Sequence, residues 1–159
     1  MAQLSRRGFF GAIGAKATGK EVKVRPPYLS DETLFGTACP SCDGVCATLC
    51  EEEIIKIAKD KTPYLDFSHS GCTYCEACLN GCEPNVLNDS EAKIQAKIKI
   101  NESQCVSWHE VMCFSCKEPC LDDAIIFNGL FKPLIDDSKC TSCGFCIVKC
   151  PSGAIEIVA

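Results

Sequence analysis

Sixteen cysteines in a chain of 159 residues constrain this sequence more than any other feature. A content of about one residue in ten is the level at which cysteine forms a structural framework. The cysteines fall into four groups of four, which begin at Cys39, Cys72, Cys105 and Cys140. The steps between these first cysteines are 33, 33 and 35 residues. Such regular spacing indicates one structural unit that is used four times.

The cysteine spacing of groups two and four is typical of iron–sulfur clusters. Group four reads C-x2-C-x2-C-x3-C-P, and group two has the same cysteine spacing, with Pro84 two residues after its last cysteine. In the bacterial two-cluster pattern, the first three cysteines bind one cluster and the fourth binds the neighbouring cluster. Three thiolates two residues apart can wrap three corners of an iron–sulfur cube in one tight loop, while the fourth faces a second cube.

Groups one and three have different spacings. Group one reads C-x2-C-x3-C-x3-C, and group three reads C-x7-C-x2-C-x3-C with a looped-out first cysteine. Either group can close on a cube, or can hold a more exposed and more labile cluster. We therefore expect four [4Fe–4S] clusters per chain, and at least three. The expected iron ligands are Cys39, Cys42, Cys46, Cys50, Cys72, Cys75, Cys78, Cys82, Cys105, Cys113, Cys116, Cys120, Cys140, Cys143, Cys146 and Cys150.

Other uses of the cysteines fit the spacing less well. Structural zinc prefers pairs of cysteines separated by a dozen or more residues, and a disulfide framework does not need the C-x2-C-x2-C-x3-C pattern. Once each group supplies four thiolates, His69 and His109 have no coordination position to fill, so both are interpreted as loop residues. Trp108 is interpreted as a packing anchor of the group three loop. No nucleophile–base pair, glycine-rich phosphate loop or pair of catalytic carboxylates stands out, so we expect no enzymatic activity.

Short β-branched runs follow the cysteine groups and predict strands. Turn residues split the runs after groups one and three, which predicts a hairpin after each of these groups. A short helix is expected around the last cysteines of every group. The predicted strand segments are 54–57, 64–67, 94–100, 124–127, 133–136 and 154–158.

This pattern predicts an α+β fold of two tandem bacterial-type ferredoxin-like modules, each with two clusters. Residues 1–28 are expected to form a basic N-terminal tail and linker, 29–93 the module of groups one and two, and 94–159 the module of groups three and four. The clusters would fill much of the interior, so the iron-free chain should fold poorly.

Exchange of the fourth cysteine between neighbouring groups is the simplest arrangement, because elements adjacent in sequence usually pack together. Cys82 then completes the site of group one, and Cys50 completes that of group two. In the same way Cys150 serves group three and Cys120 serves group four. Two alternatives stay open: exchange between groups one and four and between groups two and three, or a separate cube for each group.

The charge of the chain is uneven. Residues 1–27 hold six lysine and arginine residues against Glu21, whereas the net charge of the whole chain is −5. An acidic body argues against a nucleic-acid partner, and no apolar run of about 18 residues predicts a transmembrane segment. Ser5-Arg6-Arg7-Gly8 matches a twin-arginine export motif by letter. The apolar stretch 8–15 is short and has no clear cleavage site, so we expect an uncleaved tail on a cytoplasmic protein, with periplasmic export as the alternative.

Together these residues resemble the NapF family of ferredoxin-type proteins, which are accessories of bacterial periplasmic nitrate reductase. The resemblance covers nearly the whole chain: the Ser5–Gly8 opening, the Arg25-Pro26-Pro27 segment and the four groups in order. The spacing of group three, followed by Ala124–Phe127, is the most specific part. The longer spacing of group one departs from the pattern expected there and leaves the ligation of that cluster in doubt.

The resemblance implies a cytoplasmic protein that binds the catalytic subunit of the nitrate reductase before export. There it would assist maturation, by supplying or reducing the [4Fe–4S] cluster of that subunit. Arg6 and Arg7 are candidate partner-binding residues. The alternative function is an electron-transfer relay subunit of a larger oxidoreductase, because two-cluster modules hold neighbouring cubes close together.

Overall fold

The structure is a computed structural model that describes residues 23–88, here the first half, and 92–158, the second half. Cysteine loops and turns interrupt the apolar runs, so every element within these residues is short. The α-helices are α1 Thr33–Ala38, α2 Val45–Thr48, α3 Ala77–Asn80 and α4 Phe145–Lys149. The strands are β1 Ile55–Ile57, β2 Pro63–Leu65, β3 Lys97–Ile100, β4 Ile125–Asn128, β5 Phe131–Ile135 and β6 Ile155–Val158. Single 3₁₀ turns span Cys39–Ser41 and Val106–His109. No helix among these residues has the length and apolar character needed to cross a membrane.

The strands form antiparallel pairs, and each half contains one hairpin. β1 pairs with β2 and β4 pairs with β5, so the hairpins predicted after groups one and three are confirmed. β3 pairs with β6 and joins the start of the second half to its end. In the first half, a single bridge between Leu29 and Leu87 takes the corresponding place. Each half therefore combines a central hairpin with a contact between its first and last segments.

Two hydrophobic cores meet along one seam. The first core includes Tyr28, Phe35, Ile54 and Leu87 of the first half together with Ile94 of the second half. The core of the second half is built on Ile98, Ile125, Ile155 and the cysteines Cys116 and Cys146. Ile147 of α4 and Ile157 of β6 pack against both cores. Two-stranded ladders are only marginally stable alone, so the packing of these cores must hold the elements together.

The Arg25–Pro27 segment, expected from the sequence to act as part of a linker, is packed on the first core. Pro26 and Pro27 are fully buried. The Nη1 of Arg25 donates a hydrogen bond to Thr62 Oγ1 at 2.9 Å, and its guanidinium lies 4.7 Å from the ring centroid of Phe35. The folded part of the first half therefore begins before residue 29.

The helix predicted around the last cysteines of group three is wrong. Residues 115–119 form turns, in which the backbone N–H of Lys117 donates to the carbonyl of Phe114 at 2.8 Å. The cause is Pro119, which has no N–H to donate to the carbonyl of Ser115 and whose ring would clash with it in a helix. The other three groups do place their third cysteine, Cys46, Cys78 or Cys146, inside a short helix.

Candidate metal centres

All sixteen cysteines lie within the described residues, and none of them forms a disulfide. Twelve of them line three separate cavities, four cysteines to a cavity. Site 1 contains Cys39, Cys42, Cys46 and Cys82, site 2 contains Cys50, Cys72, Cys75 and Cys78, and site 3 contains Cys105, Cys113, Cys116 and Cys150. The space between atoms in these cavities, part of it open to solvent, is about 380, 360 and 320 Å³. The similar sizes and linings indicate three sites of the same kind.

The remaining four cysteines form site 4: Cys120, Cys140, Cys143 and Cys146. Burial raises the pKa of the Cys146 thiol to about 12, and the neighbouring thiolates, including the other three of this site, add to the rise. The hydroxyl of Thr141 donates to Asp122 Oδ2 at 2.6 Å. This bond ties the end of group three to the start of group four, so that Cys120 lies beside the other three cysteines.

In every site, the fourth cysteine comes from the neighbouring group. Cys82 of group two joins site 1, and Cys50 of group one joins site 2. Cys150 and Cys120 are exchanged in the same way between groups four and three. The geometry agrees with exchange between neighbouring groups and does not fit either alternative. In groups one, two and four the third cysteine lies in a short helix that ends before the fourth cysteine, so that the two face different sites.

The loops of groups two and four alternate left-handed residues with cysteines. Tyr74 and Glu76 have φ of 55° and 61° around Cys75, and Ser142 and Gly144 have φ of 63° and 87° around Cys143. Successive residues of opposite handedness turn backbone N–H groups toward a common centre and make an anion-binding concavity, as in many iron–sulfur sites. A [4Fe–4S] cube with four thiolates carries a charge of about −2, so this backbone suits it.

The fourth cysteines of three groups accept hydrogen bonds from the backbone. The N–H groups of Ala124 and Ala154 each donate to the Sγ of the cysteine four residues earlier, Cys120 and Cys150, at 3.3 Å. In group two, the N–H of Leu87 donates to the Sγ of its fourth cysteine at 3.4 Å. Such bonds stabilise the thiolate form and orient the ligand.

Several of the cysteine side chains lie in surroundings that disfavour their charged form. Burial, followed by the charge of neighbouring thiolates, raises the pKa of Cys46 to about 11 and that of Cys78 to about 12. Cys150 differs, because hydrogen bonds from Ser152 and the N–H of Ala154 outweigh burial and lower its pKa. Binding of a cationic core favours the thiolate form of such buried thiols, which couples metal binding to the fold.

A single metal ion and a [4Fe–4S] cluster hold four thiolates at different distances from each other. Four thiolates around zinc lie about 2.3 Å from the metal and therefore about 3.8 Å from each other. Among the residues that the structure describes, no three Cys, His, Asp or Glu side chains converge closely enough to hold one metal ion. A [4Fe–4S] cube carries each thiolate on a separate iron corner and holds the four further apart. The four cysteines of each site are the donor set that such a cluster requires.

The comparisons with known proteins agree with this chemistry. A family model described as the 4Fe-4S binding domain matches residues 133–156, which include all of group four. The ferredoxin-type protein NapF of Escherichia coli (strain K12) is 30% identical over 156 residues, and the match covers 95% of this chain and 92% of the relative. The chain belongs to the NapF family of ferredoxin-type proteins. The resemblance seen in the sequence is thereby confirmed.

Other relatives extend the same description. NapF of Haemophilus influenzae is 29% identical and covers 95% of this chain, and the ferredoxin-type protein NapG of Escherichia coli (strain K12) is 26% identical and covers 86%. These relatives are named as ferredoxin-type proteins, and no catalytic family is indicated. This member of the NapF family is therefore an iron–sulfur protein with an electron-transfer or accessory role.

The seven-residue loop between the first two cysteines of group three, characteristic of the NapF resemblance, is anchored to the β4–β5 hairpin. It contains the 3₁₀ turn Val106–His109. Within it, Trp108 Nε1 donates to the carbonyl of Pro133 at 3.4 Å, and the Nζ of Lys132 lies 5.6 Å from the ring centroid. The interpretation of Trp108 as a packing anchor agrees with this contact.

The other residues singled out in the sequence lie away from the four sites or outside the described residues. His69 lies in a bend before group two, and His109 ends the 3₁₀ turn with its Nε2 3.0 Å from the carbonyl of Ser103. Arg6 and Arg7, the candidate partner-binding residues, lie outside the described residues. The left-handed positions at Tyr74 and Ser142 were not predicted, because nothing in their side chains marks them.

Proposed function

We propose that this chain carries electrons to the catalytic subunit of a periplasmic nitrate reductase in the cytoplasm, before that subunit is exported. The family resemblance implies the client and the compartment, and the arrangement of the four sites favours electron delivery. The observation that carries the proposal is that the sites follow one another in a continuous row.

Within each half, two sites are one helical turn apart. Cys46 of site 1 lies in α2, and Cys50 of site 2 lies just beyond its end. Four residues of helix span about 6 Å. Across α4, Cys146 of site 4 and Cys150 of site 3 stand in the same relation. Clusters bound there would be direct neighbours in each half.

A backbone contact connects the two halves between sites 2 and 4. The N–H of Cys72, in site 2, donates to the carbonyl of Cys143, in site 4, at 2.7 Å. Beside it, the hydroxyl of Tyr74 donates to the carbonyl of Thr141 at 2.5 Å. The loops of groups two and four therefore face each other, and the order of the row is site 1, site 2, site 4, site 3.

A bound [4Fe–4S] cluster accepts and releases one electron without large structural change. Four such groups would lie in fixed loops of the chain, and helices would set the spacing between the two neighbours in each half. A protein that only donated clusters would gain nothing from such a row with backbone contacts at its centre. An electron that enters at one end can reach a partner bound at the other end, so the arrangement suits delivery of reducing equivalents.

The experiment is a capture of the client, followed by a redox assay. The tagged chain, purified anaerobically, is mixed with the catalytic subunit of the nitrate reductase, either as the precursor with its export signal or as the mature exported form. We expect capture of the precursor, and oxidation of the pre-reduced chain as the [4Fe–4S] cluster of the precursor becomes reduced. An unrelated exported iron–sulfur precursor serves as the control.

The same experiment separates the alternatives. Stable binding to the mature enzyme alone would support a relay subunit of a larger oxidoreductase and contradict a role in maturation. Transfer of iron and sulfide to a cluster-free precursor, without oxidation of the donor, would favour cluster delivery. A shortened chain found in the periplasmic fraction would overturn the cytoplasmic location.

A further inference from the structure

Ser107 is a buried residue in the seven-residue loop of group three, and the proposed function gives it no role. It lies in the 3₁₀ turn Val106–His109, between the first and second cysteines of site 3, and is only 1% exposed. Ser107 is one of the residues that line the site 3 cavity, together with the four cysteines. Ser107 is therefore placed against the position that a bound cluster would occupy.

The hydroxyl of Ser107 has no partner among the described protein atoms. Its Oγ is the one buried side-chain oxygen or nitrogen of the described residues that makes no hydrogen bond. Ser142, which is 2% exposed in the loop of group four, donates to the carbonyl of Ala96 at 2.6 Å. Buried hydroxyls are almost always paired, and an unpaired one requires an explanation.

Sulfur atoms of a cluster supply the missing acceptor. A four-thiolate [4Fe–4S] cube carries negative charge on its sulfurs, and hydrogen bonds to those sulfurs are among the factors that set its reduction potential. A donor stabilises the more negative, reduced state more than the oxidised state. The reduction potential of the cluster therefore rises when such a bond forms.

We propose that the Ser107 hydroxyl donates a hydrogen bond to a sulfur atom of the cluster at site 3 and raises the reduction potential of that cluster. This inference rests on the proposed function only in requiring a cluster at site 3, at one end of the row. A raised potential there makes the end of the row the preferred resting place of an electron.

The test compares Ser107→Ala with Ser107→Thr in the full-length, cluster-loaded chain. Iron and sulfide are quantified first, and an EPR-monitored redox titration then follows each cluster. We expect Ser107→Ala to lower one of the potentials so that reduction of that cluster is about tenfold less favourable, which is about 59 mV for one electron. Ser107→Thr keeps a hydroxyl and should retain the wild-type potential.

Thr62→Val is the matched control, because it removes a buried hydroxyl that already has a protein acceptor, Asp60 Oδ1 at 2.7 Å, and that lies outside the four sites. It should leave unchanged the reduction potential that Ser107→Ala lowers.

The outcomes of the titration decide the proposal. Unchanged reduction potentials in a fully loaded Ser107→Ala chain would overturn the proposal, and so would an equal shift of the potential in Ser107→Thr. If Ser107→Ala loses one cluster, retention of that cluster at its wild-type potential in Ser107→Thr supports the proposal, and its loss there contradicts it. No client is present, so failure here is distinct from failure to capture the precursor.

Discussion

The residue four positions after each fourth cysteine is apolar and buried in all four groups. These residues are Ile54, Val86, Ala124 and Ala154, each at most 2% exposed. In the second half the same residues carry the N–H groups that donate to the fourth cysteines. Packing at this position therefore fixes the hydrogen bond to the thiolate as well as the core.

Ala154→Leu should weaken site 3. Ala154 is fully buried, and extra methylene groups in a packed core cost about 1–3 kcal/mol. The side chain would also push the N–H away from Cys150 Sγ. We expect the iron–sulfur absorbance to be lost at a lower temperature during anaerobic heating. Ala92→Leu, at an exposed position, should behave as wild type, and equal melting of both variants would contradict the argument.

The ligand residues were predictable from the sequence, whereas the backbone that holds them was only partly so. Thiolate chemistry and spacing mark the sixteen cysteines directly. Glycine marks a left-handed position at Gly44 and Gly144. Tyr74 and Ser142 adopt the same conformation without glycine, because the loop around the site imposes it, and no side-chain property reveals this.

Each helix that carries a cysteine begins after a residue with a left-handed backbone conformation. Gly44, Glu76 and Gly144 precede α2, α3 and α4 with φ of 72°, 61° and 87°. A β-carbon on Gly144 would lie 2.2 Å from Cδ1 of Phe67, in the first half. This glycine thus both starts α4 and allows the halves to approach.

Gly144→Ala should destabilise the loaded protein. A left-handed conformation costs an L-residue about 1–2 kcal/mol, and the clash with Phe67 adds to this cost. We expect earlier loss of the iron–sulfur absorbance on heating and slower reconstitution with iron and sulfide. Gly36→Ala is the control, since a β-carbon there meets nothing within 4 Å and alanine favours helix. A wild-type thermal profile for Gly144→Ala would refute this role.

Among the elements, the hairpins were predictable because β-branched runs and turn residues mark both of their strands. The helices were less so. Proline at position 119 prevents the expected helix of group three. Helix α1, Thr33–Ala38, was not predicted, because six residues are too short for a helical period to be visible. The 3₁₀ turn Val106–His109 depends on the anchor that Trp108 makes with β5, a contact that spacing does not encode.

Removal of iron should unfold the whole molecule and not only the loops. The strands occur in two-stranded pairs, and cysteines make up much of the second core. Metal-binding free energy therefore contributes directly to folding. Anaerobic chelation should abolish near-ultraviolet circular dichroism and protease resistance in both halves, and reconstitution should restore both. An iron-free chain that keeps native protease resistance would contradict this expectation.

The contact between the halves could not be predicted from the sequence. Part of it consists of backbone atoms, such as the Cys72 N–H and the Cys143 carbonyl, which do not depend on the type of residue. Besides Gly144, the sequence contains one further trace of this contact, Gly71, which precedes group two. Its importance appears only when the loops of groups two and four are seen face to face.

Gly71→Ala should interrupt the row of clusters while keeping the clusters themselves. A β-carbon at this position would lie 2.6 Å from Cγ of Phe145 and 2.8 Å from the carbonyl oxygen of Cys143. Two of the nearest atoms belong to the backbone, so the loops must separate. We expect wild-type iron and sulfide content, with weaker magnetic interaction between the reduced clusters of sites 2 and 4 in EPR spectra.

The row of sites also predicts how Gly71→Ala affects electron transfer and how it affects binding of the client. Electrons supplied at one end of the Gly71→Ala chain should reach the client precursor more slowly, because transfer falls steeply with distance, whereas binding of the precursor should stay the same. Gly36→Ala, which adds the same methyl group in open space, should match wild type in both assays. If the fully loaded Gly71→Ala chain keeps the wild-type EPR interactions and the wild-type transfer rate, sites 2 and 4 are not the link between the halves. The electron path would then have to be sought elsewhere.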